Sequence, residues 1–520
     1  MSVQSELSRL APRGRVVFSS EGLRYYASDF AGHACGRALA AVRPVSIEEV
    51  AALVRWARRR RIPLVPAGSL TSFWGNMNAG GAVIVDMRGM SRLVAFDEAE
   101  RTVTVEAGMS VAALDRALRA KGFCLPVSPT GFGAATVASM VANDTNAGHG
   151  MFSGDVAPHL VGLTAVLGTG EVLRTGGSAL PPELPRFSRA GLPDLAGLFL
   201  ASEGALGIIT ELVLRVPPAP RVRAFELRVP RDVESFERVV AAAQAVRGGM
   251  LCHSWIHESS TTSQPDVSHI QIAGYGSGEE LEAKRLYLAQ ALRANGLPPA
   301  RALREPPSMW FYPKAQPRGE EGPRQATRWK GVAFDLPYAR AVRAYSLWQQ
   351  RLRRDVARLA LPKGGLQTYF GREAVLALPW WLHSTEAGEE RARELETRFR
   401  EVLGPLGVPY RLGTDVGSRF AERLDPSYRE ALGAVKRWFD PDGVLNPGVG
   451  VFAAAARKGR SAGKRIPRSG AAKAAARQCR SARPPKAGVA VRGAVARQGR
   501  SARPPKAGVA VRGAASRRRR

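Results

Sequence analysis

The chain has 520 residues, 45% of them hydrophobic, which is enough for two or three domains with sizeable cores. No apolar run approaches the roughly 18 residues of a membrane span, and the N-terminal segment lacks the apolar stretch of a secretory signal. The four cysteines are scattered without a CxxC pair, which argues against an iron–sulfur cluster or a disulfide framework. We therefore expect a cytoplasmic location.

The formal net charge of +31 is concentrated at the C-terminus. Residues 457–520 contain 21 Lys and Arg and no acid, which leaves 55 basic and 45 acidic residues, a net +10, over residues 1–456. ARQCRSARPPKAGVAVRGA (476–494) recurs with one change at 496–514. This composition predicts a disordered basic tail over 453–520. The tail would attract nucleic acid or another polyanion non-specifically, or it is a solvated extension unrelated to the main activity.

The first elements alternate between helix and strand. SIEEVAALVRWARRRR (46–61) is predicted to be a helix because its apolar residues recur with helical period and Ser46 and Glu49 fit a capping box. Short apolar strands are expected at 62–66 and 82–87. Residues 92–97 and 101–108 alternate as a hairpin does.

The pattern continues to a boundary at residues 217–218, which are both proline. A helix is predicted at 110–122, a hairpin at 159–177, and a glycine-rich turn followed by a strand at 200–216. Beyond the boundary, residues 219–410 contain further strands and helices, including a strand at 269–276 and a helix at 279–296. A mixed antiparallel sheet with covering helices fits this region.

Three loops of small residues follow strands or helices in the first 218 residues. They are PAGSLTSFWG (66–75), SPTGFGAATVASMVANDTNAGHG (128–150) and SEGALGIIT (202–210). Glycine-rich turns allow backbone amides to converge on an anion, and hydroxyl groups add donors. The first loop matches neither the Walker motif nor GxGxxG. Three such loops in one domain favour an extended anionic cofactor.

Together with KRWFDPDGVLNPG (436–448), these segments resemble the FAD-linked oxidases with a vanillyl-alcohol-oxidase or p-cresol-methylhydroxylase (PCMH) type flavin domain. That group includes glycolate oxidase flavoprotein subunits and D-lactate dehydrogenases. The resemblance implies an α+β fold with a two-subdomain PCMH-type FAD-binding domain at 1–218. It also implies an α+β substrate or cap domain with an antiparallel sheet at 219–410 and a segment at 411–452 that returns to the flavin.

The resemblance implies an FAD-dependent oxidoreductase that takes a hydride from the CH–OH group of an alcohol or a 2-hydroxy acid. It also implies cofactor-binding residues in a pyrophosphate loop, a second flavin loop, an adenine and ribose loop, and the C-terminal segment. In that order they are Pro66, Gly68, Ser69, Leu70, Thr71 and Ser72; Thr136, Val137 and Ser139; Glu203, Gly204, Gly207, Ile208 and Ile209; and Asn446.

Two departures from the family pattern bear on the cofactor. This chain has Ala138 and Ser139 where relatives often have glycines. The 68–75 loop has no histidine to form the covalent histidyl–flavin link of some relatives, so non-covalent FAD is expected. Cys124 is a remote attachment candidate and is expected to be a buried cysteine instead.

The substrate region lacks the metal-binding H-x-G-D-G-N-x-H motif of some relatives, and no metal is expected. His253 and His257 are four residues apart, on a helix or on a strand, without an evident third ligand. Aromatic residues cluster at 309–312, 369–370 and 380–381, where they line a pocket or pack in the core. Tyr369, Arg372 and His383 are the candidates for a base or a carboxylate anchor. His149 could face the flavin, although a solvated loop position is the simpler interpretation.

Two other functions stay open. In one, the basic tail defines the protein as a polyanion binder with an inherited flavin domain. In the other, the flavoenzyme is non-redox and resembles alkylglycerone-phosphate synthase. The substrate, the electron acceptor and the assembly, for which a homodimer is considered, are not given by the sequence.

Overall fold

In the computed structural model, the described residues are 2–452 apart from 12–13, 32, 34, 128, 130, 132, 146–153, 182, 185, 187–190, 247–252, 260–266, 305–327, 360–362 and 384–385. They all belong to one unit of the chain. Within these ranges, no helix is both long enough and apolar enough to cross a membrane. The predicted tail and the aromatic residues 309–312 lie outside the described residues.

A four-stranded sheet in the order β1-β2-β4-β3 forms the first layer. Strands β2, β4 and β3 are parallel and β1 is antiparallel to β2. The parallel strands are apolar on both faces, apart from Asp86 at the end of β4, because helices and loops cover them. The elements are α1 (Val3–Leu10), β1 (Val16–Val17), α2 (Ser20–Leu23), β2 (Ala40–Val42), α3 (Ile47–Arg60), β3 (Leu64–Ala67) and β4 (Val83–Asp86).

The N-terminus of α3 differs in one detail from the predicted capping box. The Ser46 hydroxyl accepts a hydrogen bond from the Glu49 amide at 3.3 Å, as expected. The Glu49 carboxylate does not return to Ser46. It binds the Val45 amide at 3.0 Å and Arg15 at 2.6 Å, because a charged partner offers a stronger hydrogen bond than a neutral amide.

A five-stranded antiparallel sheet in the order β5-β6-β9-β7-β8 forms the second layer. Both predicted hairpins belong to it. Its core is continuous with that of the first sheet through α3 and the helix α4. The elements are β5 (Leu93–Asp97), β6 (Thr102–Glu106), α4 (Val111–Arg119), α5 (Val137–Ala142), β7 (Leu160–Val166), β8 (Val172–Gly176) and β9 (Ile208–Arg215).

The region from 221 to 409 builds a nine-stranded antiparallel sheet with helices packed on it. The segment around His253 and His257 is a strand of this sheet, so the helical alternative was wrong. The strands are β10 (Arg221–Pro230), β11 (His253–Ser259), β12 (Val267–Gly276), β13 (Arg301–Leu303), β14 (Arg328–Gly331), β15 (Phe334–Leu336), β16 (Lys363–Phe370), β17 (Val375–His383) and β18 (Val408–Pro409). The helices are α6 (Val233–Val246), α7 (Gly278–Ala294), α8 (Tyr338–Leu347), α9 (Arg353–Arg358) and α10 (Glu386–Leu403), with a π-helical turn at Trp348–Leu352 between α8 and α9.

The last described segment returns to the first sheet. After α11 (Gly413–Ala421) and α12 (Pro426–Phe439), Leu445 forms a parallel bridge with Leu64 of β3. The Leu64 amide donates to the Val444 carbonyl at 2.7 Å and the Asn446 amide donates to the Leu64 carbonyl at 2.8 Å. The predicted α+β fold with antiparallel sheets is confirmed.

Candidate active site

A cavity of about 350 Å³ lies between the loops of the first two sheets and the nine-stranded sheet. One wall consists of residues from the three small-residue loops. The facing wall consists of Gln367 and Tyr369 of β16, Leu376 and Leu378 of β17, and the adjoining Tyr410 and Arg411. Glu203 and Arg411 are the charged residues among the described lining residues.

The loop after β3 presents backbone donors to this cavity. Among the described residues, the amides of Gly68, Ser69, Leu70 and Thr71 have no backbone carbonyl partner. Leu70 has a left-handed φ of 55°, which is uncommon for a residue with a side chain and turns successive amides toward one side. These amides are available as donors to an anionic group in the cavity.

Close packing of the three loops depends on glycines. A Cβ at Gly68 would lie 2.5 Å from the Thr136 hydroxyl oxygen. A Cβ at Gly204, whose φ is +77°, would lie 2.5 Å from Cγ of the Pro66 ring. These contacts bring the loops together around one narrow space, which an extended cofactor can fill.

Glu203 is buried at the edge of the cavity with a left-handed φ of 50°. Its Oε1 accepts a hydrogen bond from the Gly413 amide at 3.2 Å, and its Oε2 is buried without a partner among the described residues. Burial raises the pKa of Glu203 to about 7. An unpaired buried oxygen at this place fits a ligand that brings a donor.

Asn446 lies behind the cavity wall and fixes its geometry. Its Nδ2 donates to the Glu203 carbonyl at 2.7 Å and to the Asn76 carbonyl at 3.0 Å. The C-terminal segment therefore links two of the three loops. The resemblance predicted Asn446 to be a cofactor-binding residue. In the described chain its side chain instead donates to two backbone carbonyls of the protein.

The predicted cofactor residues line the cavity with three exceptions. Val137 and Ile208 are fully buried in the core behind the wall, and Asn446 lies in the layer just described. Ala138 and Ser139 both line the cavity, and the Ser139 hydroxyl donates to the Thr136 carbonyl at 2.7 Å. Cys124 is buried away from the lining residues, and burial raises its pKa to about 11.

Of the three candidates on the substrate side, Tyr369 lines the cavity. Its hydroxyl donates to Gln367 Oε1 at 3.2 Å, and burial raises its pKa. Arg372 is exposed in the turn between β16 and β17 and does not line the cavity. His383 ends β17, and its side chain lies outside the described residues, as does all of His149.

Core packing accounts for several of the aromatic residues. Phe370 and Trp381 belong to the core of the nine-stranded sheet, and Trp380 is buried. Within the described part of the chain, no group of three or more His, Cys, Asp or Glu is arranged to hold a metal. The side chains of His253 and His257 lie outside that description.

Arg411, which the sequence patterns did not point to, lines the cavity directly after Tyr410. Its guanidinium lies 3.7 Å from the Tyr410 ring centroid and donates to the Tyr410 hydroxyl at 2.8 Å and the Asp144 carbonyl at 2.7 Å. Burial raises the pKa of Asp144 and of Asp335, two acids near Arg411, to about 6. The only signal in the sequence was that Arg411 begins the predicted segment 411–452, directly after the predicted cap domain at 219–410.

Comparison with known proteins bears directly on these loops. Residues 38–176, which include the first two loops and their flanking strands, match the FAD_binding_4 family, described as an FAD binding domain. The chain carries an FAD-binding domain. The unpaired amides of the 68–71 loop, the glycine contacts and the free Glu203 oxygen fit this cofactor. The resemblance to FAD-linked oxidases is confirmed.

Relatives by sequence match less than half of the chain. The glycolate oxidase subunit GlcD of Bacillus subtilis is 28% identical over 45% of this chain and 45% of its own length. The D-2-hydroxyglutarate dehydrogenase of Xanthomonas citri pv. viticola is 30% identical over 41% of this chain and 44% of its own. The aligned part of the chain thus spans under half the length of these curated relatives.

Solved structures extend the likeness in fold to most of the chain. The 4-ethylphenol oxidase of Gulosibacter chungangensis superimposes with a TM-score of 0.71 at 17% identity, over 86% of this chain and 97% of that one. An alkyldihydroxyacetonephosphate synthase superimposes with a TM-score of 0.65 at 16% identity, over 85% and 84%. These similarities show that most of the chain shares one fold with these proteins.

Replacing Gly204 by alanine is expected to weaken FAD binding at least tenfold. The new Cβ would force the Pro66 ring, and with it the first loop, to move. Gly122→Ala is the matched control, because Gly122 has a similar φ of +82° with nothing within 4 Å of a Cβ. Both variants should lose about 1–2 kcal/mol from the left-handed alanine. If flavin titration shows equal FAD affinity for the two variants, the close contact between the first and third loops does not matter for FAD binding, which contradicts this prediction.

Replacing Glu203 by glutamine is expected to flatten the pH dependence of stability in the FAD-free protein. The pKa of Glu203 is raised from 4.5 to about 7, so the folded chain holds a proton that the unfolded chain releases. The free energy of unfolding therefore falls as pH rises through this window, by up to about 3 kcal/mol. Urea unfolding at about pH 5 and about pH 8 measures the fall. The control variant Glu430→Gln, at an exposed position, should show the same fall in the free energy of unfolding as the wild-type protein.

Proposed function

We propose that the protein is an FAD-dependent oxidoreductase that oxidises the CH–OH group of a small 2-hydroxy acid or alcohol, with FAD held non-covalently. The observation that carries this proposal is which residues line the two facing walls of the cavity. Its cofactor wall of three loops faces a wall that holds a cation, Arg411, and a hydroxyl, Tyr369. The relatives named for glycolate and D-2-hydroxyglutarate support a 2-hydroxy acid as the preferred class.

Each wall has a part in this reaction. The amides of residues 68–71 would bind the pyrophosphate of FAD, and the glycine contacts leave room for its length. When bound, FAD supplies the acceptor for the hydride. The chain itself binds and orients the substrate so that its CH bond faces that acceptor.

Arg411 is the proposed anchor for the substrate carboxylate. Its side chain is held by Tyr410 and the Asp144 carbonyl, so it is oriented before the substrate binds. Its Nη2 hydrogens are taken by the Asp144 carbonyl and the Tyr410 hydroxyl, and one Nη1 hydrogen by the Tyr410 carbonyl. Among the described residues, the Nε hydrogen and the second Nη1 hydrogen are left as donors for the substrate carboxylate.

Burial raises the pKa of Tyr369, so its hydroxyl stays protonated near neutral pH. That single proton is donated to Gln367 in the described chain and would turn to the substrate when the substrate binds. The proton of the substrate hydroxyl would pass to a base, for which His383 stays the prediction. The role of Arg372 also stays a prediction.

A second candidate substrate is a para-substituted phenol. The adjacent Tyr410 and Arg411 offer a hydroxyl and a positive charge that would stabilise a phenolate oxygen. The similarity in fold to 4-ethylphenol oxidase motivates this alternative. The non-redox alternative is retained for the same reason, since an alkyldihydroxyacetonephosphate synthase shares the fold.

The test is anaerobic reduction of the FAD-loaded protein by a panel of compounds. Glycolate, the D- and L-forms of lactate and 2-hydroxyglutarate, a primary alcohol and a 4-alkylphenol are added separately. We expect a 2-hydroxy acid to bleach the flavin fastest. Fastest bleaching by the phenol would favour the second candidate, and no bleaching by any compound while FAD is bound would favour the non-redox one.

The remaining expectations also belong to this proposal. The electron acceptor could be oxygen, a quinone, a cytochrome or another flavoprotein, and measured turnover with each identifies it. A cytoplasmic location, a homodimeric assembly and polyanion binding by residues 453–520 stay predictions. Removing residues 455–520 is expected to leave turnover unchanged and to abolish salt-dependent binding to nucleic acid.

A further inference from the structure

A second cavity of about 170 Å³ lies beside the active-site cavity. It is bounded by the turn between β14 and β15, by α10, by α11 and by the loop after β3. Three residues, Phe73, Trp74 and Arg411, line both cavities. The two spaces are therefore separated by a single layer of side chains.

That layer is aromatic and packed by edge contacts. The Trp74 ring lies 6.0 Å from the Tyr410 ring and 6.4 Å from the Phe73 ring, both in T-shaped geometry. The half-buried Trp74 lines both cavities, so its indole is the part of the layer that a passing molecule would have to displace. Arg411 lies at the junction.

The wall of the second cavity is rich in arginine. Arg400 pairs with Glu396, so their charges cancel. Arg419 at the end of α11 and Arg423 just beyond it are exposed, and no salt bridge to either is found among the described residues. These two arginines leave an excess of positive charge at the exposed side of the cavity, whereas Arg411 lies near Asp144 and Asp335 at the inner side.

We propose that the second cavity is the access vestibule for the substrate, where Arg419 and Arg423 collect a small organic anion and pass it beyond Trp74 to Arg411. This rests on the proposed function, since a carboxylate substrate is required. A concave surface lined by one sign of charge raises the local concentration of the opposite charge and speeds its association. Arg419 and Arg423 lie at the exposed side of this cavity, and the half-buried Arg411 lines it together with the active-site cavity.

The test compares the double variant Arg419→Gln/Arg423→Gln with Arg429→Gln/Arg437→Gln. The second variant removes the same charge from exposed positions of α12 that do not line either cavity. Stopped-flow reduction of the FAD-loaded enzyme is followed for the best 2-hydroxy acid and for a neutral alcohol over a range of ionic strength. The limiting rate at saturation and the second-order rate constant at low substrate are recorded.

We expect wild type and the control to lose second-order rate for the anion as salt rises, because salt screens exposed charges beyond about 10 Å. The vestibule variant should be about tenfold slower with the anion at low salt, nearly independent of salt, and unchanged in limiting rate. Rates with the neutral alcohol should be the same for all three proteins.

Equal losses of the second-order rate constant for the anion in the vestibule and control variants would overturn the proposal. The net charge of the whole protein would then explain the losses. A loss confined to reoxidation by an anionic acceptor would overturn it too, since the cavity would then serve the acceptor. If no 2-hydroxy acid reduces the flavin of wild-type protein, the proposed function fails first, so the two failures are distinguishable.

Discussion

Replacing Arg411 by methionine is expected to lower kcat/KM for the best 2-hydroxy acid by about 100-fold. A hydrogen bond to a charged group contributes about 1.5–3 kcal/mol, and each 1.36 kcal/mol is a factor of ten in rate. Arg411 is the cation on the substrate wall of the described cavity, so no neighbouring lining residue replaces its charge. Steady-state kinetics with the acid and with a neutral alcohol provide the comparison.

Two controls separate anchoring from folding. Arg411→Lys keeps the charge without the planar fork, so it should recover part of the activity. The neutral alcohol should be affected by less than threefold in either variant. The fold is expected to tolerate the change, because Asp144 and Asp335 have pKa values raised to about 6 and can take up protons when the guanidinium is lost. Equal losses for acid and alcohol would contradict the anchoring role.

Replacing Lys436 by methionine is expected to destabilise the protein by about 3–5 kcal/mol and to weaken FAD binding. Lys436 is buried on α12, and its ammonium donates to Asp440 Oδ2 and the Ala205 carbonyl at 2.6 Å, and to the Leu445 carbonyl at 3.0 Å. Removing one partner of a buried ion pair leaves an uncompensated charge, which is the source of this cost. Urea unfolding and flavin titration measure the two effects.

The link to FAD arises from the position of this pair. Asp440 also accepts hydrogen bonds from the amides of Val444 and Leu445, the residues that precede Asn446. Ala205 lies two residues after Glu203 in the third loop. Arg437→Met, at an exposed neighbouring position, is the matched control. It should change neither the free energy of unfolding nor the affinity for FAD. The double variant Lys436→Met/Asp440→Asn should recover part of the stability, because it removes both charges.

Much of the cofactor wall could be predicted from sequence because its determinants are local. Serine caps at Ser46 and Ser110 begin the two predicted helices, and each hydroxyl accepts the expected amide hydrogen bond. Loops of small residues between strands point to backbone contacts with an anion. The presence of three such loops in one domain favoured a single extended cofactor, and the contact between Gly204 and Pro66 shows how two of the loops come together.

The substrate wall could not be predicted in the same way because it depends on sheet register. Tyr369 faces the cavity and its neighbour Phe370 packs in the core, since successive strand residues point to opposite faces. The sequence does not say which of two adjacent aromatics faces inward. Arg372 lies only three residues after Tyr369, yet it is in the exposed turn beyond the strand. Arg411 is contributed by an irregular segment without any repeating pattern.

The most direct test of the central claim is the visible absorption spectrum of the purified protein, followed by denaturation and filtration. Our account predicts a flavin spectrum in the native protein and one equivalent of FAD per chain in the filtrate. A colourless protein that also takes up no added FAD would contradict it. Flavin retained with the denatured chain would contradict the non-covalent attachment while leaving the FAD-binding domain in place.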